Sequence, residues 1–180
     1  LQDSSLESIS IAEISRRAGV TRSAFYFYFE NKAYAVAALM GGMYDEARTI
    51  TGHLVTPDDS PADRIEAVIR GLFRALDDNQ HVYRAMLDAR ALNEDVRAMW
   101  EADRRSFVEP IAGMIRAERA TGRAPDGPDA ETLASVLLDL NDQAMQRESL
   151  RDASTPFTRD QHVATLVLGV FLVVSHEYVM

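Results

Sequence analysis

A chain of 180 residues can bury roughly two-thirds of its unfolded surface, and it fits one compact unit, or a small and a larger unit sharing a core, better than two independent domains. Hydrophobic residues at 47% and charged residues at 26% exclude disordered and fibrous classes, while the lack of cysteine excludes disulfides, thiol nucleophiles and cysteine-based zinc or iron–sulfur sites. The net charge of −9 argues against coating a whole nucleic acid or an anionic membrane. That acidity is unevenly placed. Arg16, Arg17, Arg22 and Lys32 balance Asp3, Glu7, Glu13 and Glu30, so residues 33–180 carry all of it. The chain opens with Leu1 and has no basic stretch followed by an apolar one, so no secretory signal is read. The natural start is expected to precede Leu1, and the cysteine-free composition fits a cytoplasmic location.

Taken in chain order, Ser10-Ile11-Ala12-Glu13 has the form of a capping box and predicts a helix from about Ile11 to Ala18. Gly19 supplies the residue that ends it, and Thr21 caps a second helix beginning at Arg22. Phe25-Tyr26-Phe27-Tyr28-Phe29 has aromatic strand propensity, but it lies between two caps, Thr21 and Asn31, and Phe25 and Phe29 are four apart, one inward face of a helix. A longer helix is predicted from Lys32 to about His53, with Val36, Leu39, Met40 and Met43 at helical spacing. Pro57-Asp58-Asp59-Ser60-Pro61 reads as a turn with Ser60 as N-cap. Amphipathic stretches follow at about 61–78, 80–90 and 94–121, then a Gly/Pro-rich break at 122–128, then helices at about 129–151 and 159–178, the last capped by Thr158 with Gln161. No alternating strand, repeat or low-complexity tract appears, and the fold class is all-α.

Two short helices joined by a tight glycine turn, the second with a polar start, form a helix-turn-helix, whose second helix enters the major groove. Arg22 and Ser23 open that helix, and Tyr26 follows Arg22 by one turn on the outward face. An arginine there can bond a guanine edge twice, while Tyr28 and Lys32 can reach phosphates. The run from Ile11 to Lys32 closely resembles the DNA-binding region of the Tet repressor (TetR) family and, in Phe25 to Phe29, its ethionamide-resistance subgroup. Val96 to Trp100, Ile115 to Arg119, Gly122 and Leu140-Asn141 resemble the same subgroup more loosely. The resemblance implies that Thr21, Arg22, Ser23, Tyr26, Tyr28 and Lys32 face double-stranded operator DNA and that Val20, Phe25 and Phe29 hold the helices together. Three residues depart from the family pattern: Glu30 stands where proline is usual, Ala33 where glutamate is usual, and Phe27 where a polar aromatic often sits.

The resemblance further implies an N-terminal helix-turn-helix with its connecting helix in residues 1–50, and a helical ligand-binding and dimerisation bundle in 51–180. Trp100, Phe107, Ile111 and Met114 repeat as one face, which serves either as core or as the wall of an apolar pocket. Pro110 is expected to kink that helix by removing an N–H and crowding the carbonyl of Ser106. Asn141 shares a face with Leu133, Leu137 and Met145, where a buried amide needs backbone partners or a ligand, and the resemblance favours a ligand. The expected site is an apolar tunnel walled by Leu72, Leu76, Trp100, Phe107, Ile111, Met114, Leu137, Met145 and Phe171, with Asn141 as its directed polar contact for a small hydrophobic ligand. Val163 to Val174 is almost wholly apolar and too short to span a bilayer, so it is either the central helix of a monomer or the seam of a homodimer.

Catalytic constellations are missing from the chain. There is no Glu-x-x-His pair, no His-Glu-x-x-His and no Gly-x-Ser-x-Gly elbow, and the only lysine, Lys32, follows no glycine-rich loop. His53 and His81 stand alone, and His162 and His176 lie about 21 Å apart on one helix. No metal, cofactor or catalytic residue is therefore expected. Three readings compete: a ligand-responsive DNA-binding regulator, a helical enzyme with an unusual site, and a helical ligand-binding protein that never meets DNA. The first, a repressor released from its operator by a small hydrophobic molecule, accounts for most residues.

Overall fold

A computed structural model describes residues 6–55, 60–151 and 155–174, and their regular structure is entirely helical. In chain order the helices are α1 (Ile11–Ala18), α2 (Arg22–Tyr28), α3 (Lys32–Thr51) with a 3-10 turn Gly52–Val55, α4 (Pro61–Asp78), α5 (Gln80–Leu92), α6 (Glu94–Arg105), α7 (Val108–Ala120), α8 (Ala130–Ser149) and α9 (Arg159–Val174). The expected turn at Pro57–Asp59, His176 and the end of the last helix beyond Val174 lie outside the described residues.

Local chemistry sets most helix starts. The hydroxyl of Ser10 accepts the N–H of Glu13 at 3.1 Å, that of Ser60 accepts the N–H of Asp63 at 3.2 Å, and the Asp129 carboxylate accepts the N–H of Thr132 at 2.9 Å. Thr158 and Gln161 form a reciprocal capping box, each side chain accepting the other's backbone N–H, at 3.2 and 2.8 Å. These bonds satisfy donors that a helix N-terminus otherwise leaves orphaned.

The expected single helix over 94–121 is two. α6 ends at Arg105, the N–H of Phe107 turns back to the carbonyl of Arg104 at 3.1 Å, and α7 starts at Val108. Pro110 is consequently no mid-helix kink. It occupies the third position of α7, where the first turn has no intrahelical use for its missing N–H. Trp100 and Ile111 thus belong to different helices, and the face counted from Trp100 to Met114 is interrupted.

The described residues group into two compact units. The first takes those up to Tyr44 together with Asn79–Asp103, and the second takes Asp45–Asp78 together with those from Arg104 onward. In the first unit α1 packs on α2, and Phe25, Val36, Met40, Met43, Tyr83, Met86, Val96 and Trp100 are buried, whereas Leu39, expected on the same face, is exposed. In the second, α7 packs on α8, α4 packs on α8 and α9, and the 3-10 turn lies against α4 and α7. Gly71 lets α4 close on the end of α3, since a Cβ there would lie 2.9 Å from Ile50 Cγ2.

Candidate DNA interface and ligand-binding core

The helix-turn-helix is built by backbone and cap geometry. Gly19 has φ 67°, the left-handed conformation that glycine adopts without strain, and its N–H bonds the carbonyl of Arg16 at 3.3 Å. Thr21 Oγ1 then accepts the N–H of Ala24 at 3.1 Å, so Thr21 starts α2 from within the motif. Phe25 turns inward, 6% exposed, with its ring centroid 5.5 Å from that of Phe29. Val20 does not share this role. Its N–H closes the turn on the carbonyl of Ser15, which leaves its side chain on the outside, 47% exposed.

With Phe25 inward, Thr21, Arg22, Ser23, Tyr26 and Tyr28 are all exposed. Arg22 has no ion-pair partner among the described residues, and α2 contains no acidic side chain. The cations of α1 differ. Arg16 and Arg17 both bond the Glu13 carboxylate, at 2.6 Å for the shortest contact of each, and these bonds lower the Glu13 carboxyl to about 2.

Lys32 stands in a different role from the one its position suggests. Its Nζ donates to the carbonyls of Leu6, Glu7 and Ile9 at 2.7, 3.1 and 2.8 Å, which occupies all three ammonium N–H groups. Asn31 caps α3 beside it, its Oδ1 accepting from Ala33 and Tyr34. Lys32 therefore fastens the turn before α1 to the start of α3. Two carboxylates of α5 and α6 also hold this unit: Asp88 accepts the N–H of Leu6, and Asp95 accepts the Tyr34 hydroxyl at 3.2 Å. Burial, then the Asp95 charge, pushes the Tyr34 phenol up, which keeps it protonated as a donor.

The expected pocket residues divide between the units. Trp100 belongs to the first, where Tyr44 and Tyr83 meet it edge-on at centroid distances of 6.0 and 5.8 Å and the Arg90 guanidinium lies 4.4 Å from its centroid. Leu72 and Leu76 on α4, Phe107 at the start of α7, Ile111 and Met114 on α7, Leu137, Asn141 and Met145 on α8 and Phe171 on α9 share the second. Leu76, Phe107, Met114, Leu137, Met145 and Phe171 are buried, whereas Leu72 and Ile111 are half-buried. Asn141 Nδ2 meets only the Met145 sulfur, at 3.5 Å, and the buried Oδ1 takes no hydrogen bond. An amide left this way carries a desolvation cost that a ligand donor would remove.

Sequence reasoning missed a buried ion cluster in the second unit. Arg64, 8% exposed, donates Nη1 to the Leu54 carbonyl at 2.8 Å and Nη2 to Glu118 Oε1 at 2.5 Å, while Arg123 Nε reaches Glu118 Oε2 at 2.7 Å. The Arg123 hydrogen bond, with help from Arg64, holds the Glu118 carboxyl below its ordinary range against the effect of burial. The cluster ties α4, α7 and the 3-10 turn together; its partners are 54 residues apart, beyond any local pattern.

A helix-turn-helix in an otherwise helical chain is an arrangement that known proteins share. Residues 65–174 match the family "Transcriptional regulator EthR, C-terminal domain", and residues 1–39 match "Bacterial regulatory proteins, tetR family". The chain belongs to the TetR family of regulators, with an EthR-type C-terminal domain. It is 28% identical over 169 residues to the HTH-type transcriptional regulator EthR of Mycolicibacterium smegmatis, covering 92% of this chain and 76% of that one. To EthR of Mycobacterium tuberculosis strain H37Rv it is 29% identical over 150 residues, covering 81% and 68%. Among solved structures, a TetR/AcrR-family regulator from Thermobifida fusca YX-ER1 shares the fold with a TM-score of 0.67 at 21% identity, covering 92% of this chain and 86% of that one. A tetR-family regulatory protein from Rhodococcus RHA1 does so with 0.69 at 17%, covering 95% and 89%. As a TetR-family member the chain is a DNA-binding transcriptional regulator with a ligand-binding C-terminal domain, not an enzyme. No described helix is long and apolar enough to cross a membrane.

Proposed function

We propose that this regulator is a cytoplasmic repressor that binds operator DNA as a homodimer and is released by a small, mainly apolar molecule carrying a polar group. In this reading residues 1–50 meet DNA through Thr21, Arg22, Ser23, Tyr26 and Tyr28, with Lys32 setting the attitude of the motif, and residues 51–180 pair the chains and bind the ligand. The observation that carries the ligand half is the Asn141 carboxamide, whose buried Oδ1 has no partner and whose Nδ2 has only a thioether. A carbonyl or amide on the ligand satisfies it in both directions. Pairing is supported by α8 and α9, which leave Val136, Leu140, Leu168, Leu172 and Val173 exposed in the single chain. A two-fold dimer also places two copies of α2 at successive half-sites.

Release follows only if the ligand favours the conformation that does not fit the operator, since equal affinity for both states shifts nothing. The test is the anisotropy of a labelled duplex selected by the protein, titrated with matched apolar amides and alkanes. Amides are expected to release the duplex, and Asn141→Leu to weaken their binding by about 1 to 3 kcal/mol while leaving alkanes nearly unchanged. Equal effects of both series, or no release by either, would remove Asn141 from the site.

A further inference from the structure

Phe27 is the most exposed large apolar side chain among the described residues, at 81%. It lies two positions beyond Phe25, about 200° around the helix, and so points away from the face that Phe25 buries. Ser23 lies one turn before it on the same outward line. The phenyl ring touches Tyr28 edge-on at a centroid distance of 5.1 Å, and Tyr28 is itself 74% exposed, so this contact orients the ring without covering it. Folding alone gives no reason for a phenyl group here. A partner must be sought among the groups that α2 meets when it works.

We propose that Phe27 is a specificity-determining residue whose ring seats against the C5-methyl group of a thymine in each operator half-site. The inference rests on the DNA-reading role of α2 and deepens it. A phenyl ring neither donates nor accepts a conventional hydrogen bond, so it gains nothing from phosphate oxygens or from polar base edges. On the floor of the major groove the thymine methyl is the apolar group presented. Charge favours the same occupant. α2 holds Arg22, which has no ion-pair partner among the described residues, and no acidic residue, so the face that displays Phe27 suits a polyanion such as the DNA backbone. Arg22 and Phe27 then read different features of one half-site, a hydrogen-bonding edge and a methyl group.

The test starts from a duplex selected out of a random pool by the full chain. Each thymine of the half-site is replaced in turn by deoxyuridine, which removes the methyl group and nothing else. For the unaltered protein a replacement in one half-site is expected to weaken binding about fourfold, the factor that about 0.8 kcal/mol per buried methyl group corresponds to, and the same replacement in both half-sites about fifteenfold. Phe27→Ala should lose affinity for the thymine duplex and show no response to that replacement. Phe27→Leu should keep part of the response, and Arg22→Ala all of it. A selected consensus with no methyl-sensitive thymine overturns the proposal while leaving DNA reading by α2 intact, as does equal sensitivity in Phe27→Ala. A pool that yields no consensus overturns both.

Discussion

The two units use charged groups in opposite ways. In the first, the residues proposed to face DNA stand outside, and polar groups near them are consumed by caps and clamps: Thr21 on Ala24, Asn31 on Ala33 and Tyr34, Lys32 on three carbonyls. In the second, charge and polarity are taken inside, with Arg64, Glu118 and Glu148 buried and the Asn141 oxygen unpartnered. A reading head needs its side chains presented on a fixed backbone. In the second unit the buried ion cluster fixes α4, α7 and the 3-10 turn to one another through charge, where the first unit uses caps and backbone clamps.

The comparison breaks most visibly at Glu118. Glu118→Ala leaves Arg64 buried without its carboxylate and should destabilise the second unit by about 3 to 5 kcal/mol, read by urea unfolding. Because Arg123 and Arg64 hold this carboxyl below its ordinary value of 4.5, its contribution is complete above that value and is lost as pH falls through the lowered one. Glu118→Gln should therefore flatten the corresponding part of the acid-unfolding curve. Next in size is Gly169→Arg on α9. Added carbon there meets nothing within 4 Å in the single chain, so the fold should survive. If α8 and α9 pair the chains, the charge costs about 1 to 3 kcal/mol for each copy, and sedimentation should shift from the dimer to the monomer mass. A monomeric unaltered protein at micromolar concentration would contradict the dimer.

Within the first unit, display and support separate through two arginine or lysine changes. Arg22→Ala should cost about 1 to 3 kcal/mol on the operator alone, narrowing the ratio of specific to random binding. Lys32→Ala should lower affinity for all duplexes alike and speed amide exchange around residues 6–9, because it frees the clamp and removes no base contact. The smallest effect belongs to Glu13. Its carboxyl should titrate below its ordinary range by NMR, by less than an unscreened pair would give, and Glu13→Ala should lower the unfolding midpoint only slightly, since its pairs with Arg16 and Arg17 are solvent-screened.

Much of this was readable from residues whose chemistry acts over one turn. Ser10, Gly19, Thr21, Asn31 and Thr158 each announce a helix boundary, and all five stand at one. The strand-like aromatic run resolves correctly as helix because Phe25 and Phe29 must share a face. The break before Val108 was not readable, since the apolar spacing continues across it and Pro110 fits either an interrupted helix or a kinked one. Nor were the partners of Lys32 and Arg64, 23–26 and 54 residues away in one case and the other, because only the folded chain brings them together. Trp100 illustrates the same limit: its spacing joins it to Ile111, while its aromatic neighbours are Tyr44 and Tyr83.

The clamp at Lys32 has a practical consequence. Within these 180 residues it is the only lysine, and its amine is wrapped by three carbonyls. An acylating reagent finds that nitrogen only when the turn before α1 lets go. The rate at which Lys32 itself is acylated, read on the peptide that contains it so that the chain's α-amine does not count, is therefore a clock for opening of the DNA-reading head. Conversely, once the amine is acylated the charge that holds the turn is gone, so the reaction traps the head in the opened form that it reports.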